Sequence, residues 1–409
     1  MTVIQNPELK ELDRKILDFY TLSERYLYNS NNQYGRQIYK AQLTELLKEA
    51  ERIEPSSEFD MLISRNILSN LVLNDLVIDY FTDPNFSLSV EAFFTIIAGK
   101  GAWEYLEQKV RNPLDELEWK YNEGIQKRAS LRISQFTDEA KEAAKLHLPN
   151  IKKVVLEYGK VKGYLPEDFD INTLFIPPKE GQENSSWQSA THTLNLASYC
   201  FEFLNLNSRI VAKPGYAYVV AFHEIIGHAA NDVSSRCLPN SIRFEETNSI
   251  TPTKPIVEGI ANYGEEEGFK FLRENKDELG ITEEEIELIE FNAALGHYSL
   301  CQSMYCALIK DKELRDKDFD GYKHILELTN SPITARNFKL HFDQGFVNKW
   351  RTFGHTLGKF HYQRMVDRVK QKFGQDYLEK NKKDFHEATL KGVWSWVVYP
   401  EAVCYFLKK

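Results

Sequence analysis

Apolar residues recur at three-to-four spacing through most of the first 160 positions, where glycine and proline are sparse. LDRKILDFYTLSERYLY, IYKAQLTELLKEAERI and FDMLISRNILSNLVLNDLVIDYF keep that period, and each predicts a helix. Pro113 and the polar stretch around Gly124 interrupt the next helices without making a clear linker. From Gly163 to Pro214 the pattern changes. LFIPP and HTLNLASYC favour short extended segments, separated by the loop PPKEGQENSS. Pro214 and Gly215 then open a new helix. Three long helical patterns close the chain: EEEIELIEFNAALGHYSLCQSMYCALIKD, FVNKWRTFGHTLGKFHYQRMVDRVKQKF and DFHEATLKGVWSWVVYPEAVCYFL. The expected fold class is therefore mainly α. A helical N-terminal region over 1–160 caps a catalytic region over 161–409, with a small extended or β segment ahead of its first helix. The boundary is soft, and one compact domain fits the pattern too.

One apolar run carries chemistry. In AYVVAFHEIIGHAAN, Val219, Val220, Ala221, Phe222, Ile225, Ile226, Ala229 and Ala230 leave almost no wettable face around His223, Glu224 and His228. Burying Glu224 as an anion there costs several kcal/mol unless something positive stands beside it. Two neutral imidazoles cannot supply that charge, but a divalent metal held by them can. Further on, PIVEGIANYGEEEG opens a second acidic helix and offers Glu258 as a third ligand. Glu258 read instead as a helix N-terminal charge would pass that role to Glu245 or Glu246.

The two histidines stand five positions apart, which on a regular helix separates them by about 140°. One extra residue must be absorbed, most simply as a π-bulge near Ile226–Gly227. Gly227 tolerates that distortion and gives His228 room to swing back. Two imidazoles and a carboxylate leave a fourth position open, which points to one zinc ion per chain. Glu224 is then the base that takes a proton from the attacking water and passes it to the leaving amine. Asn262, one turn past Glu258, is the best-placed partner for a ligand imidazole, ahead of Glu265 and Asp232. His297 and His355 are the favoured donors to the developing oxyanion, with Tyr298 and Tyr263 behind them. THTLNLAS could be an edge strand that pairs with substrate backbone, and Arg243 and Arg351 are candidate clamps for a terminal carboxylate. Taken singly, each of these residues also has an ordinary structural reading: core histidine, plain strand or surface arginine.

Composition narrows the partners. With 409 residues, 42% hydrophobic and 27% charged, the chain has the balance of a soluble globular protein with a sizeable core. A net charge of −9 disfavours nucleic acid and anionic membrane. MTVIQNPELKELDRK carries no basic-then-apolar signal, and no apolar run reaches the roughly 18 residues that would span a bilayer. The five scattered cysteines suit free thiols in a reducing compartment, with cytoplasm as the expectation. A peptide substrate is the expected partner, and a homodimer is compatible with all of this.

The stretch His223-Glu224-Ile225-Ile226-Gly227-His228 resembles the HExxGH form of the dipeptidyl-peptidase III family, and is similar to the histidine motif of the tubulin-type tyrosine carboxypeptidases. Glu258-Gly259-Ile260-Ala261-Asn262-Tyr263-Gly264-Glu265 resembles the EGWALYAE segment of a widespread family of bacterial and archaeal helical metallopeptidases. Thr356-Leu357-Gly358 and Asp384-Phe385-His386 resemble that last family as well. Two departures stand out: Ile226-Gly227 replaces its Pro-Gly, and Thr356, with His355 adjacent, replaces its usual tyrosine. The resemblance covers roughly residues 215–400. It implies a gluzincin-type zinc metallopeptidase of helical, channel-like build, a carboxypeptidase-like exopeptidase on short peptides. His223, His228 and Glu258 would be the ligands and Glu224 the base. Two alternatives stay open: a metal-dependent amidohydrolase on a non-peptide substrate, and a non-catalytic helical binding protein with a vestigial metal site.

Overall fold

A computed structural model describes residues 3–27, 33–83, 85–111, 138–177, 185–204, 210–212, 214–247, 252–332, 335–336, 338 and 346–408. The stretch around Gly124 and the side chains of Glu246 and Arg351 lie outside the described residues. The fold is mainly α, as the periodicity predicts. The opening helices are α1 (Pro7–Leu27), α2 (Gln33–Arg52), α3 (Glu58–Thr82), α4 (Val90–Ala98) and α5 (Ala102–Arg111). Ser57 and Ser89 each accept a backbone N–H from the first turn of α3 and α4, which fixes where those helices begin.

Contacts divide the chain elsewhere than at residue 160. One unit comprises Met1–Pro113, Ser235–Gly259 and Tyr298–Lys409; the other comprises Leu114–Ser234 and Ile260–His297. The helix α6 (Asp138–Lys162) belongs to the second unit because of what it packs on. Its Asn150 donates to the Tyr218 hydroxyl (2.6 Å), and its Gly159 leaves room for Leu165 and Ile226.

In the first unit, Phe93, Phe94, Tyr305, Phe338 and Phe353 are almost wholly buried in one aromatic-rich core, with Tyr80 stacked on Phe93. The α3 window Glu58–Tyr80 is long and apolar enough to cross a membrane, but 56% of it is buried, and core packing accounts for its composition. Asn66 on α3 donates to the Ser241 carbonyl (3.1 Å) and accepts the Ser395 N–H (2.7 Å), tying three distant stretches together. The last helical pattern does not run through. It forms Lys382–Thr389 and Tyr399–Phe406, with Gly392 at φ +95° between them and Pro400 in the first turn of the second. Val393 and Trp396 give their N–H groups to Ile242 and Pro252 instead of to a helix ladder.

In the second unit the predicted extended segments form a small sheet: β1 (Asn172–Ile176), β2 (Ser186–Gln188) and β3 (Thr193–Ala197), in the order β1-β3-β2. β1 runs parallel to β3 with Asn172 opposite Thr193, and β2 runs antiparallel to it with Trp187 opposite Leu194. THTLNLAS is thus the central strand and not an edge, because both sides of its backbone are already paired. The edge beside the chemistry is β2. The five cysteines are free thiols, with Cys237 exposed and the other four buried.

His361, on the helix Phe346–Phe373, is fully buried and stacked on Trp396 at 5.4 Å. Burial, reinforced by the Arg364 charge, pushes its pKa down to about 3. An unfolded histidine takes its proton near pH 6.5, whereas this one resists until far lower. Its contribution is therefore full above about pH 6.5 and lost as pH falls towards 3, at a slope of at most about 1.4 kcal/mol per pH unit. Denaturant unfolding across that range should show the loss, and His361→Phe should flatten the profile.

Candidate metal centre

The run Gly215–Phe222 is a regular α-helix, His223–Ala229 is a π-helix, and Ala230–Ser235 is α again. The wide segment lies where the five-residue spacing predicts it. Hydrogen bonding to i−5 takes up the extra residue, so His228 returns to the side of His223. The two rings come within 5.0 Å, centroid to centroid, with their planes at 84°.

Small residues set what lies opposite. A Cβ on Gly227 would stand 2.4 Å from the Ala261 Cα, and one on Gly264 would stand 2.5 Å from the Phe222 carbonyl oxygen. The backbone of Lys254–Glu274 therefore rests directly on the motif helix along residues 261–264. Glu258 lies one turn before Ala261 on that same continuous helix, which sets where its carboxylate reaches. One donor atom each from His223, His228 and Glu258 lies within 4.8 Å of the others, the one such group of three among the described residues. Two donors on a common ion at about 2 Å stand roughly 3.3 Å apart in a tetrahedral site. Three such donors could hold a metal ion. Glu258 is 2% exposed, Glu224 6% and His228 8%, so the charges are held away from bulk water.

Each buried carboxylate has partners. Lys254 Nζ stands 2.9 Å from Glu258 Oε1, and His355 Nδ1 stands 3.0 Å from Oε2. Glu224 Oε2 accepts the backbone N–H of Trp187 on β2 at 2.7 Å. Asp232, further along the motif helix, accepts Trp187 Nε1 (3.2 Å) and Ser189 Oγ (2.8 Å), pinning the strand that presents this N–H. Cys200 has its pKa pushed up to about 12 by burial, with the Glu224 charge adding to it and the Ser185 hydroxyl opposing. It lies outside the three-residue group.

The remaining candidates fall out as follows. His355, expected as an oxyanion donor, lies against the Glu258 carboxylate. His297 is half-buried on the helix Glu283–Arg315, outside the three-residue group. Asn262 follows Glu258 by one turn and makes no side-chain hydrogen bond to the described residues. Tyr263 faces the Tyr164 hydroxyl at 3.5 Å, and Arg243 Nε donates to the Leu238 carbonyl. Glu245 is exposed and outside the group. Asp232, expected behind an imidazole, accepts from Trp187 and Ser189. Sequence reasoning missed Lys254, although its spacing of four before Glu258 is a readable helical pair. It also missed Trp187, whose contribution is a main-chain group with no side-chain signature.

Compared with protein-family models, curated proteins and solved structures, the chain matches none.

Two glycine substitutions separate packing from helix propensity. Gly227→Ala should force the two helices apart, lowering the thermal midpoint and weakening metal binding. Gly296→Ala, on Glu283–Arg315 with nothing within 4 Å of its added Cβ, should gain up to about 1 kcal/mol and leave metal binding unchanged. Calorimetry with and without added zinc checks both.

Proposed function

We propose that this chain is a zinc-dependent peptide hydrolase, a carboxypeptidase-like exopeptidase acting on short peptides. One observation supports the reading above the others: two histidines and a glutamate converge within 4.8 Å, with a buried glutamate next in sequence to the first histidine. Two imidazoles and one carboxylate suit zinc and leave room for one more group. When bound, zinc supplies Lewis acidity towards a carbonyl and makes a water acidic near neutral pH.

The protein's own groups do the rest. His223, His228 and Glu258 hold the ion. Glu224, fixed by one oxygen on the Trp187 N–H, takes the proton of the attacking water with its other oxygen and returns it to the leaving amine. His355 orients the Glu258 carboxylate. The outer edge of β2 supports a peptide over other amides. Within a strand, the carbonyl and N–H of one residue point to the same side, so the Trp187 carbonyl faces the way its N–H does, towards Glu224. With that N–H held by Glu224, the Trp187 carbonyl is the main-chain group that can accept from an extended substrate.

Protein purified without chelator should carry about one zinc per chain and should shorten peptides in a mixed library read by mass spectrometry. Glu224→Gln should retain zinc and lose at least about a hundredfold in turnover. His228→Ala should lose zinc. Zinc without peptide cleavage would move the substrate to a non-peptide amide, and no zinc at all would leave a helical binding protein.

A further inference from the structure

Lys254 has no role in the chemistry above, and its placement is unusual. It begins the helix Lys254–Glu274, whose first turn contains no acidic residue ahead of Glu258. A cation at a helix N-terminus opposes the helix dipole, and what favours a lysine there is its pairing with Glu258 four residues on. Its ammonium stands 2.9 Å from Glu258 Oε1, and its side chain is 27% exposed against 3% for that glutamate. The stem is accommodated on purpose-shaped ground. A Cβ on Gly354 would stand 2.3 Å from the Lys254 Cγ, so the glycine leaves room for the lysine stem against that helix. The residue after Gly354 is His355, whose Nδ1 stands 3.0 Å from the other oxygen of the same carboxylate.

Two partners on one carboxylate act differently on an ion that the carboxylate would bind. An imidazole N–H can orient a carboxylate by donating to it, whereas an ammonium in contact with one ligand oxygen repels any dication approaching the other lone pairs of that group. Resting on the metal-centre reading, we propose that Lys254 is a built-in competitor for Glu258, an affinity-setting residue that holds zinc binding weaker than the three ligands alone would give. His355 is the orienting partner of opposite sign.

The test is the zinc dissociation constant of the full-length protein, measured by competition with a chromophoric chelator at constant pH and salt. Lys254→Met should tighten zinc by about tenfold or more, whereas Lys254→Arg, which keeps the charge, should stay within about threefold of the wild type. His355→Phe should weaken zinc by about tenfold to a hundredfold, as loss of an outer-shell partner does. Should the methionine variant fail to fold by circular dichroism, Lys254→Gln, which retains a donor to Glu258, is read in its place with the same expected sign. Unchanged or weakened affinity on removing the lysine charge, in a protein whose wild type binds zinc, overturns this proposal and leaves the metal centre standing. A wild type that takes up no zinc overturns both.

Discussion

At Gly227 the motif helix lies directly against the Cα and Cβ of Ala261, and that close approach of two helices is what the candidate centre is built beside. A single methyl group on the glycine would stand 2.4 Å from the opposing Cα, far inside van der Waals range. Because the motif helix widens to π geometry at the same place, His223 and His228 come to one side of it, with ring centroids 5.0 Å apart.

The same compactness creates an electrostatic demand. Glu224 and Glu258 are removed from water, and an uncompensated buried carboxylate is among the costlier things a fold can contain. The protein answers each one differently. Glu258 receives two side chains, one cationic and one imidazole. Glu224 receives a main-chain N–H from the edge of a sheet, and that strand is fixed by Asp232 on the very helix that carries Glu224. Strand and motif helix are thereby tied together around the Glu224 carboxylate.

Much of this could be read from the chain before any coordinates. The 3.6 period of the N-terminal segments predicts α1, α2 and α3 to within a few residues, because an amphipathic stripe records which face will be buried. The five-residue histidine spacing predicts the π segment, since no regular helix brings residues 223 and 228 together. Other features were not written locally. The final apolar pattern reads as one helix, yet Val393 and Trp396 find backbone partners at Ile242 and Pro252, far away in sequence, and the helix breaks. THTLNLAS has the composition of any strand; whether it is central or at an edge depends on which neighbours take up its two sides.

Residue types and their spacing thus determined the helical class, the three candidate ligands and the neighbouring glutamate, because these depend on periodicity and on the chemistry of individual side chains. Tertiary structure alone decided that His355 meets the Glu258 carboxylate, that a main-chain N–H from β2 reaches Glu224, and that the chain divides into interleaved units instead of two consecutive halves. Each of these depends on groups far apart in sequence meeting in space, and a hydrogen bond or ion pair forms at distances of about 3 Å that no local pattern encodes.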